Sequence, residues 1–465
     1  MYYFSSMTEG NRERGRRITP SYESSAALRQ AWDDKRNGVG EGTYARSGYR
    51  EIREREHEIA EMVGQPDAAL FNAGMAALAT AIEAQDLHPG DVILCGNNLY
   101  SETRKLISSF VYRGVRIVYI DMGDSEAVAQ AIKKEHPRLV MLESVANAVD
   151  MRVCNIEKLV TVAEETNAQY HAEFTAPALL DKYLATRDYR EKITLKERQA
   201  FLQDIADFRE GSNPIVFRDF VKQLVQAGNL KRSEAIRETA RLVSYITRNE
   251  RDALSIIVDN TLSSPVLRNP LDEVGEHKVP VIVVESGTKH FQLGRDQITL
   301  GLAYTNDKSV LEEIKKKRTE MGTYLQPIAE ALLPEDFTTR MQEVVRLQAA
   351  HALELAKLFE ELPGVREVSH PNLISHEDTE LSESLAPEGL VTVFYCKVDD
   401  PMGFVDVIKK EAGDAIEIGT SFGHEKTRLS PEPVKGLVRI AAGAEDTKAF
   451  ENIIQSFKRA CSNVQ

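Results

Sequence analysis

Two apolar runs in the middle of the chain end in residues that could do chemistry together. Ser255-Ile256-Ile257-Val258-Asp259-Asn260-Thr261 puts an acid at the end of a β-branched run, and Lys289 follows 30 residues later in Val281-Ile282-Val283-Val284-Glu285-Ser286-Gly287-Thr288-Lys289-His290. Runs of this kind suit buried parallel strands, and the C-terminal ends of such strands carry the ligands of open α/β sheets. A lysine amine can form a Schiff base with an aldehyde, and a carboxylate can pair with a pyridinium nitrogen. The two together fit pyridoxal phosphate (PLP), with Ser286 and Thr288 beside the lysine as phosphate donors. Taken alone, the same segments also read as an ordinary buried acid and an ordinary surface lysine.

Further segments occur in order along the chain. Tyr44-Ala45-Arg46, Phe71-Asn72-Ala73-Gly74-Met75-Ala76-Ala77 and Leu99-Tyr100-Ser101-Glu102-Thr103 precede the acid, as does Leu142-Glu143-Ser144-Val145-Ala146-Asn147; Val438-Arg439-Ile440-Ala441-Ala442-Gly443-Ala444-Glu445-Asp446 lies near the C-terminus. Gly74 and Met75 open a helix, where free backbone N–H groups and the helix dipole favour an anion. From about residue 40 onward, apart from one insertion, this array resembles the Cys/Met-metabolism family of PLP enzymes: cystathionine synthases and lyases, methionine γ-lyase and their relatives.

The resemblance implies an α/β fold of PLP fold type I, like aspartate aminotransferase, with a mainly parallel sheet flanked by helices and a small C-terminal α/β domain. It implies that Lys289 carries the cofactor and Asp259 pairs with the ring nitrogen. It places Tyr100 on the ring face and near the leaving group, and Asn147 near the ring hydroxyl. Arg439 matches the arginine that grips the substrate α-carboxylate, supported by Ser421 in Gly419-Thr420-Ser421-Phe422-Gly423-His424. A guanidinium fork suits a carboxylate bidentately. Tyr44 and Arg46 match the pair that reaches the phosphate of a neighbouring subunit, which implies a homodimer or homotetramer with shared active sites.

The substrate side departs from the family's pattern. Ser47-Gly48 stands where Asn-Pro is usual, Val145-Ala146-Asn147-Ala148 replaces Pro-x-Asn-Pro, and Gly294-Arg295-Asp296 follows the lysine where glycine-histidine-serine-aspartate is usual. Lys426-Thr427 replaces Glu-Ser, and Glu102 stands where a small or thiol residue is usual. Glu102, His424 and Lys426 are therefore expected to bear on side-chain selection, though each also reads as an ordinary surface residue.

The elements that must position these residues follow from pattern. Residues 1–49 are polar and basic and read as an arm. Residues 50–63 form a charged helix with Ile52, Ile59 and Val63 on one stripe. Strands at Ala68–Phe71, Asp91–Cys95, Val115–Ile120 and Arg138–Leu142 alternate with helical spans, which implies βαβ units. The PLP-binding domain is expected over 50–305. A helical insertion interrupts it at about 169–253, with helices at Leu195–Phe208, Val216–Ala227 and Leu230–Tyr245. Residues 306–465 read as a long helical stretch, Lys308 to Leu362, and then a small α/β unit with strands at Leu390–Val398 and Gly436–Ala441 around a helix at Pro401–Glu411.

At 465 residues the chain can bury a large catalytic domain and a smaller one. A formal net charge of −14 argues against nucleic acid or an anionic membrane as the main partner. No apolar run approaches the roughly 20 residues of a spanning helix, and residues 1–20 lack the apolar core of a secretory signal. The four cysteines, Cys95, Cys154, Cys396 and Cys461, show no metal or disulfide spacing, which fits a reducing cytoplasm. The expected function is PLP-dependent elimination, a γ- or β-lyase reaction at a carbon–sulfur bond of an amino acid. γ-Replacement by a thiol, and a PLP-fold scaffold without chemistry, are the alternatives.

Overall fold

The computed structural model describes residues 23–36, 50–173, 175–187, 189–209, 217–228, 230–249, 253–295, 297–334 and 336–462. Tyr44 and Arg46 lie outside the described residues. The chain divides into two compact units, one of residues 1–160 and 255–465, the other of residues 161–254.

The first unit is built on two sheets. Seven strands, β1 (Ala69–Phe71), β2 (Val92–Gly96), β3 (Arg116–Ile120), β4 (Leu139–Glu143), β5 (Ser255–Asp259), β6 (Val281–Ser286) and β7 (Gly301–Thr305), lie in the order β1-β7-β6-β5-β4-β2-β3. Pairings from β6 through β3 are parallel, and β7 runs antiparallel to both β6 and β1. The central strands are continuous apolar runs because both faces are covered: β2 and β4 are buried throughout. The sheet packs on the helix Gly74–Glu83 through Ala77, Leu78, Ala81 and Ile82. Parallel register puts every βα loop at one edge of the sheet, so Tyr100, Asn147, Asp259 and Lys289 arrive there from four different strand ends.

The second sheet has the order β10-β11-β12-β9-β8, formed by β8 (Val365–Ser369), β9 (Val393–Val398), β10 (Glu417–Ile418), β11 (Arg428–Glu432) and β12 (Leu437–Ala441). Its core centres on Phe359, with Phe394 and Phe457 at ring separations of 5.2 and 5.4 Å. Of the strand expected at Leu390–Val398, the residues Leu390, Val391 and Thr392 are buried but stay outside β9, which starts at Val393.

One expectation needs correction. Lys308 to Leu362 is not one helix but Lys308–Met321, Pro327–Glu330 and Phe337–Glu360. Gly322 ends the first in the left-handed conformation at φ 70°, which a side chain resists, and Pro327 removes an N–H donor before the next can begin.

The second unit is helical: Ala176–Thr186, Leu195–Arg209, Arg218–Gly228 and Arg232–Asn249. Residues spaced to share a helix face form its core. Phe201 and Ile205 are buried with Phe220 and Leu224, and the rings of Phe201 and Phe220 stack at 3.8 Å. The helix Ala176–Thr186, with Pro177 in its first turn, is additional to the three expected. Among the described residues no helix is long and apolar enough to cross a membrane.

Candidate active site

A cavity of about 610 Å³ opens at the strand ends of the first unit. Ala73, Gly74, Met75, Tyr100, Asn147, Asp259, Ser286, Thr288, Lys289, Ser421 and Arg439 all line it. Every candidate site residue within the described part of the chain thus meets the others in one place, although in sequence they are spread from Gly74 to Arg439.

Local sequence explains how each is held. Gly74 packs so closely on β6 that a Cβ there would lie 2.9 Å from Cα and Cβ of Ser286. The helix it begins is preceded by Ala73, which supplies no side-chain cap, so the first-turn N–H groups face the cavity side without one. Lys289 follows β6 on a turn, and its Nζ donates to Ser421 Oγ at 2.8 Å and stands 5.4 Å from the Phe422 ring centroid. Ser421 is held at φ 77°, a strained conformation for a residue with a Cβ. Next to it Gly423, at φ 80°, brings the backbone so close that a Cβ would meet the Lys289 carbonyl. The loop bearing Ser421 is therefore fitted against the lysine by its backbone. Thr288 lines the cavity, while its hydroxyl accepts the Leu300 N–H at 3.0 Å and staples the turn to the start of β7.

Asp259 ends β5. Its Oδ1 accepts both the N–H of Thr261 at 3.0 Å and its hydroxyl at 2.5 Å, and the same hydroxyl accepts the Ser286 N–H at 2.9 Å. Oδ2 has no hydrogen-bond partner among the described residues. Burial pushes the carboxyl above its ordinary range, against the Thr261 bonds that hold it down. A half-buried acid with one oxygen oriented and the other open to a cavity suits a cationic N–H donor. Arg439 on β12 lies in register with Ser430 on β11 and Tyr395 on β9. The Tyr395 hydroxyl donates to Asn147 Oδ1 at 3.3 Å, so the arginine's neighbouring strand also steadies the asparagine. Tyr100 is 44% exposed and precedes the helix Ser101–Ser109.

The donor set fits PLP: an amine for the aldehyde, a half-buried carboxylate with a free oxygen for the ring nitrogen, an exposed aromatic face, and a helix start with nearby hydroxyls for the phosphate. Sequence reasoning misses two further carboxyls at this edge. Glu143 ends β4 opposite Asp259 in register, and burial together with the Asp259 charge pushes its pKa well above the ordinary carboxyl range. Glu285 in β6 accepts the Tyr304 hydroxyl at 2.7 Å, and burial pushes its pKa up to about 8. The signal is present, because β4 is also an apolar run that ends in an acid. Thr261, and Glu432, which lines the cavity from β11, are missed too.

Glu102 interacts with the Tyr100 hydroxyl at the cavity, whereas His424 and Lys426 are directed elsewhere. Glu102 takes hydrogen bonds from Ser101 and, at 2.9 Å, from Lys105. His424 Nε2 is 2.6 Å from an Arg428 nitrogen, and Lys426 donates to the Asp414 carbonyl at 3.1 Å. None of the three lines the cavity, whereas Thr420, Ser430 and Glu432 do.

Glu285 makes a stability prediction. Folded, it holds its proton up to about pH 8; unfolded, it loses it near its ordinary value of 4.5. The folded state therefore binds more protons in that interval, and stability falls as pH rises through it. Urea unfolding of cofactor-free protein at about pH 6 and about pH 8.5 should show this loss, and Glu285→Gln should reduce it. An unchanged pH slope in the variant would show that Glu285 is ionised in the fold.

Comparison with known proteins agrees with this geometry. The chain is 24% identical to cystathionine β-lyase of Neurospora crassa over 97% of its own length and 80% of the relative's. It is 32% identical to cystathionine γ-synthase of Escherichia coli over 29% of this chain and 35% of that one. With L-methionine γ-lyase of Treponema denticola it shares 26% identity over 47% of this chain and 56% of the relative. The profile of the Cys/Met metabolism PLP-dependent enzymes matches residues 5–181 and 238–461, leaving out only part of the helical unit between the two matched segments. With that match over most of its length and the lysine, acid and helix start gathered at one sheet edge, the chain belongs to the family of Cys/Met metabolism PLP-dependent enzymes.

Proposed function

We propose that this protein catalyses elimination at a carbon–sulfur bond of an amino acid, as a β- or γ-lyase. The observation that carries the reading is the convergence of Lys289, Asp259, Tyr100 and Arg439 on one cavity. It is supported by relatives named as cystathionine and methionine lyases.

Bound PLP would act as the electron sink that makes the substrate α-proton acidic. Lys289 would hold it and Asp259 would keep a proton on its ring nitrogen. Asn147 would stand at the ring hydroxyl, and Gly74, Met75, Ser286 and Thr288 at the phosphate. Arg439 binds the substrate α-carboxylate, with Ser421 beside it, and so orients Cα toward Lys289. Lys289 Nζ takes the Cα proton. Tyr100, at the ring face, protonates the departing sulfur, so the carbon–sulfur electron pair leaves with a proton and a thiol is released. Among the described residues lining the cavity, only Lys289 and Arg439 carry positive side chains, and both have other tasks in this reading. A doubly charged phosphate would gain from a further cation, and Arg46 with Tyr44 from a neighbouring subunit would supply it. The working form would then be a homodimer, or a homotetramer of two such dimers, in the cytoplasm.

Incubation with a panel of β- and γ-substituted amino acids, with products identified by mass spectrometry, tests the reaction. Release of a thiol with a 2-oxo acid and ammonia is the expected result. A new thioether formed only when a second thiol is added would replace it with γ-replacement, and no turnover of any member would sink both. Arg439→Ala should lower kcat/KM roughly a hundredfold for every substrate, through KM, because a charge-assisted bidentate contact of a few kcal/mol is lost. Unchanged kinetics in that variant would remove the carboxylate role.

A further inference from the structure

Glu143 touches both sides of the candidate site without being one of the groups assigned to it. Its side chain is buried at the end of β4, with the residue 8% exposed. Oε1 accepts the backbone N–H of Tyr100 at 2.7 Å, and Oε2 accepts the backbone N–H of Asn147 at 2.7 Å. The two donors come from different connections. Tyr100 stands between β2 and the helix Ser101–Ser109, and Asn147 lies on the loop after β4. Tyr100 has no capping side chain of its own, so the carboxyl of another strand satisfies the N–H at the helix entrance. The strand end itself is fixed, because the Ser144 N–H donates to the Asp259 carbonyl at 3.0 Å.

We propose that Glu143 is a positioning residue for the reaction: one carboxyl fixes Tyr100 and Asn147 relative to each other, and so sets the slot in which the cofactor ring lies. This rests on the PLP reading above. The physical reason is the symmetry of the contact. Each oxygen serves one wall, and both bonds are short and directed at backbone, so neither wall can shift without stretching a bond made to a buried anchor. Displacements of about 1 Å in such a slot can cost on the order of a hundredfold in rate. Side-chain identity at Tyr100 and Asn147 is then only part of what the site needs.

Glu143→Gln is the direct test, since the amide keeps shape but has one acceptor oxygen and presents its NH₂ to the second N–H. The variant should still bind PLP. The near-visible circular dichroism of the bound cofactor should change, and the affinity of the cofactor-free protein for PLP should fall several-fold. The drop in kcat should be about 30- to 100-fold, while KM for the amino acid stays within about threefold, because Arg439 makes no direct bond to Glu143 and is reached from it only through Asn147 and Tyr395. In a Tyr100→Phe background the same substitution should cost clearly less, since the hydroxyl it positions is already gone. Independent, multiplying losses in the double variant, or a fall in thermal midpoint with an unchanged dichroism band and kcat, would overturn the proposal and leave Glu143 a structural acid. If the glutamine variant does not fold, Glu143→Asp, which keeps the carboxyl but is too short to reach both N–H groups, takes its place in the same cycle with the same criteria. Failure of the PLP reading would look different: the unaltered protein would take up no PLP.

Discussion

Lys289→Ala is expected to abolish turnover, with a loss of at least about 10³-fold in kcat. The lysine is asked to do two things, to hold the cofactor covalently and to carry the α-proton, and positioned proton transfer alone is worth about 10²–10⁴-fold. The structure gives this lysine the required setting. It lies on a turn directly after β6, its Nζ is 2.8 Å from Ser421 Oγ, and Gly423 keeps the facing backbone tight against its carbonyl. Borohydride reduction of the PLP-loaded protein followed by peptide mass spectrometry should find the cofactor on Lys289. The alanine variant should show no covalent cofactor on any lysine, and its residual activity should rise when a small primary amine is supplied. A cofactor attached to another lysine in the unaltered protein would end the assignment.

Asp259→Asn should move activity and stability in opposite directions. The amide oxygen can still accept from the N–H and hydroxyl of Thr261, so the local geometry survives. What disappears is the charge opposite the ring nitrogen. Losing one partner of a buried ion pair costs about 3–5 kcal/mol, which corresponds to a fall in kcat/KM of roughly 10²–10³-fold or more. Without cofactor the same carboxyl is a burden. Burial raises its pKa, so the folded state must either keep a proton or hide a charge, and this costs stability as pH rises above the ordinary value of 3.8. The cofactor-free asparagine variant should therefore melt higher than the unaltered protein at about pH 8, while the PLP-loaded variant turns over far more slowly. Steady-state kinetics and thermal unfolding of both forms measure this. A variant with full activity, or one whose cofactor-free form is less stable at that pH, would contradict the role given to Asp259.

The insertion shows where pattern suffices. Phe201 and Ile205 on one helix, and Phe220 and Leu224 on the next, are spaced to share a face, and those faces are buried against each other. Periodicity carries that information because a helix repeats about every 3.6 residues whatever it packs against. The break in the helical stretch after Met321 can also be read, since Gly322 and Pro327 are in the sequence, but only the fold shows that Gly322 ends one helix and Pro327 begins the next.

The α/β class and the strands that carry the acid and the lysine follow from residue type and order, because β-branched runs make buried parallel strands and parallel strands deliver their polar ends to one edge. The groups expected around PLP come with the family resemblance. Four of the apolar runs that form this sheet end at an acid, Asp121, Glu143, Asp259 and Glu285, and only the order of motifs along the whole chain sets Asp259 apart in the sequence. Their surroundings in the fold differ. Only Asp259 combines one oxygen held by Thr261 with another left open at the cavity; Glu143 spends both oxygens on backbone N–H groups, and Glu285 accepts the Tyr304 hydroxyl. The same holds for His424 and Lys426, whose positions in the sequence point toward substrate and whose side chains find partners outside the cavity, while Glu102 reaches the Tyr100 hydroxyl. The direction of a side chain and the partners it finds depend on register and on loops brought together from distant parts of the chain, and neither is encoded in the residues beside it.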